Sequence, residues 1–135
     1  MILYDNPILR LTYAPATDIM VADLSNRHEF YSLEVRQALN LIVEHVRHYD
    51  VRHLLMDSRK RVLVIDDLEY AAIMSEFTRA LQTTHLQKMA RLYTGTPSRE
   101  DLAKAIIEQM ATTFTLRTFT SQAEAMEWLT SISAE

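Results

Sequence analysis

The sequence predicts an α/β protein of one domain, in which helices pack on a mostly parallel sheet that carries an antiparallel strand at its N-terminal side. Its 135 residues, 48% hydrophobic and 24% charged, suit a single domain with one core. Hydrophobic residues recur alternately at the period of a strand and at the period of a helix, which is typical of this class. One glycine and three prolines argue against a turn-dense sandwich or barrel. The predicted order over residues 1–135 is ββαβαβαβα.

The first two strands are predicted to form an antiparallel hairpin. Residues 8–13 alternate apolar and polar side chains, Pro15 marks a turn, and residues 19–22 form an apolar run. Two such runs separated by a short turn segment are the usual signal of a hairpin.

From Ser32 onward the pattern predicts a helix. Ser32 is its expected N-cap, and Glu34 in the first turn suits the positive end of the helix dipole. Residues 53–57 then form a short apolar run that ends in an acid, as expected for a buried parallel strand. The inward stripe of the helix is Val35, Leu39, Ile42, Val46 and Tyr49.

The second half of the chain continues the alternation of strands and helices. Residues 62–65 are either a short strand or an apolar connector. A second helix is predicted from Asp66 or Asp67, where Asp66 and Glu69 resemble a capping box, and its stripe runs through Tyr70, Ile73, Met74, Phe77 and Leu81.

Two more strand and helix pairs complete the predicted fold. Residues 88–94 form a strand before a helix announced by Ser98 and Asp101. Residues 115–120 form the last strand, and Ser121 with Glu124 caps the final helix.

Composition excludes several functions. A net charge of −4 is not the electrostatic footprint of a nucleic-acid binder, and a single glycine leaves no glycine-rich phosphate loop. The absence of cysteine excludes disulfides and thiolate chemistry and fits a reducing cytosol. The first residues do not read as a secretory signal, and no apolar run approaches the ~20 residues that span a bilayer. We therefore expect a cytoplasmic protein that is not an integral membrane protein.

The chain resembles the STAS-like superfamily, named for sulphate transporters and anti-sigma-factor antagonists, and within it a small stand-alone bacterial branch. The likeness runs over residues 8–132 and rests on the order of elements and two segments. These are Leu54-Leu55-Met56-Asp57-Ser58 and Phe119-Thr120-Ser121-x-x-Glu124-Ala125-x-x-Trp128-Leu129.

This resemblance implies a βα superhelix related to the CRAL-TRIO lipid-binding fold. Signalling members are phosphorylated on a serine or threonine at the start of the helix after the third strand, and Ser58 is the matching residue. In this chain Ser58 is followed by Arg59, Lys60 and Arg61, and the helix is expected only from Asp66 or Asp67. The resemblance therefore implies a non-catalytic regulatory or protein-interaction module without the usual phosphoserine switch. The alternative is a carrier for an apolar or lipid-like ligand.

The candidate site follows the strand at residues 53–57. Asp57 lies where α/β sheets gather ligands and catalytic acids, and is either a structural acid or, with a neighbouring His or Arg, an acid-base group. Arg59, Lys60 and Arg61 form a basic stretch that either contacts an acidic partner, a phosphate or an anionic head group, or is a solvated loop.

Two other clusters of residues are candidates for a metal site. His45, His48 and His53 could gather around a transition metal, but their spacing is loose. Asp57, Asp66 and Asp67 could surround a cation. For both clusters a structural role is the first explanation, and no cofactor or metal is expected.

Apolar side chains beyond the main stripes leave two further possibilities. Leu41, Val43 and Met126 indicate an exposed patch and hence a homodimer. Five aromatic residues either fill the core or line an apolar pocket: Tyr31, Tyr49, Tyr70, Phe77 and Trp128.

Overall fold

A six-stranded sheet lies at the centre of the structure, a computed structural model that describes residues 1–24, 29–59, 62–92, 97–111 and 113–131. In chain order the elements are β1 (Ile2–Asp5), β2 (Arg10–Ala14), β3 (Ile19–Asp23), β4 (Glu29–Phe30), α1 (Ser32–His48), β5 (His53–Asp57), β6 (Val62–Leu63), α2 (Asp67–Leu81), β7 (Lys88–Leu92), α3 (Pro97–Met110), β8 (Thr115–Phe119) and α4 (Gln122–Thr130).

The strand order in the large sheet is β1-β2-β3-β5-β7-β8. The pairs β1-β2 and β2-β3 are antiparallel, whereas β3-β5, β5-β7 and β7-β8 are parallel. This arrangement confirms the α/β class and the antiparallel N-terminal side. The two short strands β4 and β6 pair in parallel as a separate ribbon.

The sequence prediction missed β1 and β4. Strand β1 is an edge strand with a register irregularity, and its burial does not alternate, so it lacks the period-two signal. Strand β4 has only two residues. The open choice at residues 62–65 is resolved as a strand over Val62–Leu63, which pairs with β4.

Two of the four predicted helix starts are confirmed. Asp66 is the N-cap of α2 and its carboxylate accepts a hydrogen bond from the backbone N–H of Glu69 at 2.7 Å. Ser121 is the N-cap of α4, where its hydroxyl accepts from the N–H of Glu124 at 3.3 Å.

The other two helices start one residue or more away from the predicted position. The N-cap of α1 is Tyr31, not Ser32, and the carboxylate of Glu34 accepts a hydrogen bond from the Tyr31 backbone N–H at 3.1 Å. Ser32 is instead the first helical residue, and its hydroxyl donates to the Glu69 carboxylate of α2. Helix α3 already begins at Pro97. Proline is favoured at the first position of a helix, because an N–H group there would have no hydrogen-bond partner within the helix.

The main core lies between one face of the sheet and helices α1, α2 and α3. Apolar residues from every second position of the strands meet the inward stripes of these helices, and they are almost completely buried. The predicted stripes of α1 and α2 are confirmed except at Tyr49, which is exposed at the C-cap of α1. Strand residues in this core include Leu11, Met20, Ala22, Leu54, Met56, Met89 and Leu116.

Helix α4 covers part of the opposite face. Ala125 and Leu129 pack with strand residues there, and Phe119 and Trp128 lie against the same cluster. As a result, every residue of β7 is buried. The strand residues in this second cluster are Ile19, Leu55, Ala90 and Leu92.

Lys88 binds the carboxyl end of α4 and so anchors this helix to the sheet. Its ammonium group donates hydrogen bonds to the carbonyls of Trp128 at 3.0 Å and Ser131 at 2.8 Å and to the Ser131 hydroxyl at 3.1 Å. It also lies 5.2 Å from the centroid of the Trp128 ring. A buried cation thus satisfies the carbonyls at the negative end of α4.

We expect Lys88→Met to loosen α4, because the end of the helix loses three charge-assisted hydrogen bonds and the cation-π contact. The cost in unfolding free energy should be about 1.5–3 kcal/mol, the usual range for hydrogen bonds to a charged group. Trp128 is the only tryptophan, so a red-shifted fluorescence emission would report its exposure directly. Lys104→Met, at an exposed position of α3, is the control. Unchanged Trp128 emission and unchanged stability in Lys88→Met would show that α4 does not depend on Lys88.

Two aspartates take the left-handed backbone conformation that glycine usually supplies. Asp18 has φ 55° and Asp50 has φ 54°. The Asp18 carboxylate accepts from the Tyr13 hydroxyl at 2.8 Å and from the Arg52 N–H at 3.3 Å, and so joins the hairpin to the segment before β5. Burial and the hydrogen bond to Asp18 raise the pKa of Tyr13.

Asp50 follows α1 and accepts a hydrogen bond from the ring of His85. This hydrogen bond holds the pKa of the Asp50 carboxyl below its ordinary value of 3.8. A pKa lowered by folding means that the interaction stabilises the protein when the carboxyl is ionised, and that this contribution is lost as pH falls through the folded pKa.

Asp50→Asn should therefore lower stability near pH 6 but have progressively less effect as pH falls below about 4. Asparagine tolerates the left-handed backbone, so the variant removes the charge without adding strain. Urea unfolding at several pH values measures the difference from the parent protein. Glu108→Gln, an exposed carboxylate on α3, is the control. A stability difference that stays constant from neutral to acidic pH would contradict the role of Asp50 ionisation.

Candidate functional site

The carboxyl ends of the parallel strands carry the candidate site. Strands β3, β5 and β7 end at Asp23, Asp57 and Leu92, which are register partners along this edge. Ser58 and Arg59 follow β5 directly. Lys60 and Arg61, the other predicted basic residues, lie outside the described residues.

Asp57 and Arg59 form a two-pronged ion pair. Arg59 donates from Nε to Asp57 Oδ1 at 3.0 Å and from Nη2 to Oδ2 at 2.8 Å. The backbone N–H of Arg59 adds a third hydrogen bond to Oδ1 at 3.2 Å. The Asp57 side chain is only 11% exposed, whereas 34% of the Arg59 side chain meets solvent.

The electrostatics of this pair favour the charged guanidinium. The hydrogen bonds to Asp57 raise the pKa of Arg59 above its ordinary value, with a smaller contribution from the charge of Asp23 on the neighbouring strand. Both oxygens of Asp57 accept from Arg59, so proton transfer by Asp57 would require the pair to break first. This geometry gives Asp57 a structural role in closing the loop after β5.

The acids considered for a cation serve separate purposes. Asp57 pairs with Arg59, and Asp66 caps α2. Within the described ranges, no three histidine, aspartate or glutamate side chains come together in a way that could hold a metal ion.

Ser58 joins the ends of two parallel strands. Its backbone N–H and its hydroxyl both lie 3.3 Å from the carbonyl oxygen of Leu92 at the end of β7. Helix α2 begins only at Asp67, and its N-cap position is taken by Asp66. Ser58 therefore lies at a strand exit and not at the amino end of a helix.

The three histidines considered for a metal have other contacts. The Nδ1 atom of His45 lies 2.7 Å from the Leu41 carbonyl of its own helix, and the His53 Nδ1 atom lies 3.1 Å from the Asp18 carbonyl. The ring of His48 meets Tyr49 edge to face. These contacts hold two of the imidazoles on α1 and the third at the start of β5.

The five aromatic residues considered for a pocket lie in different parts of the molecule. Tyr70 and Phe77 are buried in the main core, and Trp128 lies on the opposite face of the sheet. Tyr31 and Tyr49 are exposed at opposite ends of α1. These residues therefore do not line one common cavity.

An exposed apolar surface lies where α1 and α2 begin. We call Tyr31, Leu33, Val64 and Leu68 the apolar rim; they are 52%, 67%, 44% and 83% exposed. Pairing of β4 with β6 brings the segments before the two helices together, and the hydrogen bond from Ser32 to Glu69 joins the first turns. The structure thus places four large apolar side chains in solvent at one end of the molecule.

The patch predicted from Leu41, Val43 and Met126 is wrong as a shared exposed surface. Val43 is buried, since α1 is covered by both the sheet and α2 and so buries a wide face. Leu41 is partly buried against the main core, and Met126 is partly buried against the cluster under α4.

The apolar rim was not predicted, although the sequence contains a signal for it. Leu33 and Leu68 each lie two positions before the inward stripe of their helices begins, at Val35 and Tyr70. An apolar residue about 200° from the buried stripe points away from the core at the helical period.

Sequence reasoning also overlooked the buried cations of β7. Lys88 faces α4, while Arg91 is buried on the other face of the strand, beside its register partners Met56 and Thr118. The available signal was that a central parallel strand is covered on both sides, so that any charged residue within it must be buried.

No protein-family model matches this sequence, and none of the curated proteins matches it at a significant level. The STAS-like resemblance therefore stays a prediction based on element order and the two quoted segments. No helix in the described part of the chain combines the length and the apolar content needed to span a bilayer.

Removing either partner of the Asp57–Arg59 pair should cost about 1–3 kcal/mol of unfolding free energy, because the hydrogen bonds are charge-assisted and the acid is nearly buried. A double-mutant cycle with Asp57→Asn, Arg59→Met and both changes together measures the coupling. Two residues in direct contact should show a coupling energy of at least about 0.5 kcal/mol. Additive effects in urea unfolding would show that the two side chains are not coupled and would contradict a stabilising ion pair.

Proposed function

We propose that this protein is a non-catalytic regulatory module that binds a protein partner through the apolar rim, similar in role to the anti-sigma-factor antagonists it resembles. The observation that carries the proposal is the exposure of Leu33 and Leu68 beside Tyr31 and Val64. Scattered apolar residues are normal on a surface, but a group of large ones at one place is typical of an interaction site.

Burial of the rim would supply substantial binding energy. Removing a leucine side chain from water is worth about 1.5–3 kcal/mol, and Leu33 and Leu68 are two of the three most exposed large apolar residues described. Acidic and polar groups flank them, including Glu34 and Asp66. An apolar centre with a polar border is the usual anatomy of a protein interface.

The rim is held in place before any partner arrives. Glu34 fixes the backbone at Tyr31, Asp66 fixes the first turn of α2, and Ser32 ties this turn to α1 through Glu69. A surface fixed in advance loses little conformational entropy on binding, which favours affinity.

We also propose that the module works without the phosphoserine switch of its signalling relatives. In those proteins the phosphate lies at a helix amino end, where free N–H groups hold it. Here the Ser58 hydroxyl is engaged by Leu92, and Asp66 already caps the helix. Ser58→Asp should then bind the partner as well as Ser58→Ala does.

We propose residence in the cytoplasm as part of the same function, and a homodimer as the alternative occupant of the rim. The absence of cysteine fits a reducing compartment. The rim could also be buried against a second copy, and light scattering of the parent protein beside Leu68→Ser distinguishes this from binding to another protein.

Leu68→Ser and Leu33→Ser should each weaken partner binding about tenfold, since loss of one buried leucine costs on the order of 1.4 kcal/mol or more. Stability should change by less than about 0.5 kcal/mol, because both residues are exposed in the free protein. A photo-cross-linker at Leu68 identifies the partner in cells, and titration with the purified partner measures the affinities.

Ile2→Ser is the matched control, because Ile2 is also an exposed apolar residue but lies on the edge strand β1. Equal affinities for Leu68→Ser, Ile2→Ser and the parent protein would exclude the rim as the binding surface. Cross-linking from an exposed position on α3, such as Glu108, should not capture the same partner.

A further inference from the structure

We draw no further inference here: the strongest candidate, the open hollow between β8 and α4 that Arg117, Phe119 and Trp128 line, also contains the carboxylates of Glu124 and Glu127 beside the arginine, and nothing in the described part of the chain shows what covers it.

Discussion

The whole structure depends on covering both faces of the central parallel strands. Helices α1, α2 and α3 follow successive strands and cover one face, which leaves the other face of β5 and β7 without a partner. Helix α4 supplies that partner after the last strand, and Lys88 holds its carboxyl end. Because apolar strands buried on one side alone would expose Leu55, Ala90 and Leu92, the nine residues of α4 are essential to a domain of this size.

The same arrangement explains why the apolar rim lies at one end of the molecule. The parallel strands all end at the same edge, and each following helix begins there. Within the described residues of this edge, Asp57 pairs with Arg59 and Asp66 caps α2, while Tyr31, Leu33, Val64 and Leu68 extend into solvent. Asp57 is therefore held in an ion pair, and the apolar rim lies beside it at the same end of the sheet.

Much of the fold could be predicted because the chain repeats a strong signal. The run at residues 53–57 and the stripes of α1 and α2 each match a single period, and the structure reproduces them. Edge strand β1 could not be predicted in the same way, because none of its four residues is fully buried and so no apolar face alternates with a polar one. The helix starts at Tyr31 and Pro97 were missed by a residue or more because several neighbouring residues could cap equally well.

The candidate site was only partly accessible from sequence. The position of Asp57 at a strand end was predicted, but its pairing with Arg59 depends on the path of the loop, which no periodicity describes. The apolar rim depends on the pairing of β4 with β6 and on the hydrogen bond from Ser32 to Glu69, which joins residues 37 positions apart in the chain. Contacts between side chains that are distant in the chain produce no local sequence pattern, so they could not be predicted.

Strand burial is graded across the sheet, from β2, where Leu11 alone is buried, to β7, where all five residues are buried. The rate at which the sequence diverges should follow this gradient in burial. Among descendants of a common ancestor, the hairpin side of the domain is free to diversify and to acquire insertions, whereas β7 admits few replacements of different volume. An alignment of relatives would then be most informative about ancestry in its third quarter and about specialisation near its beginning.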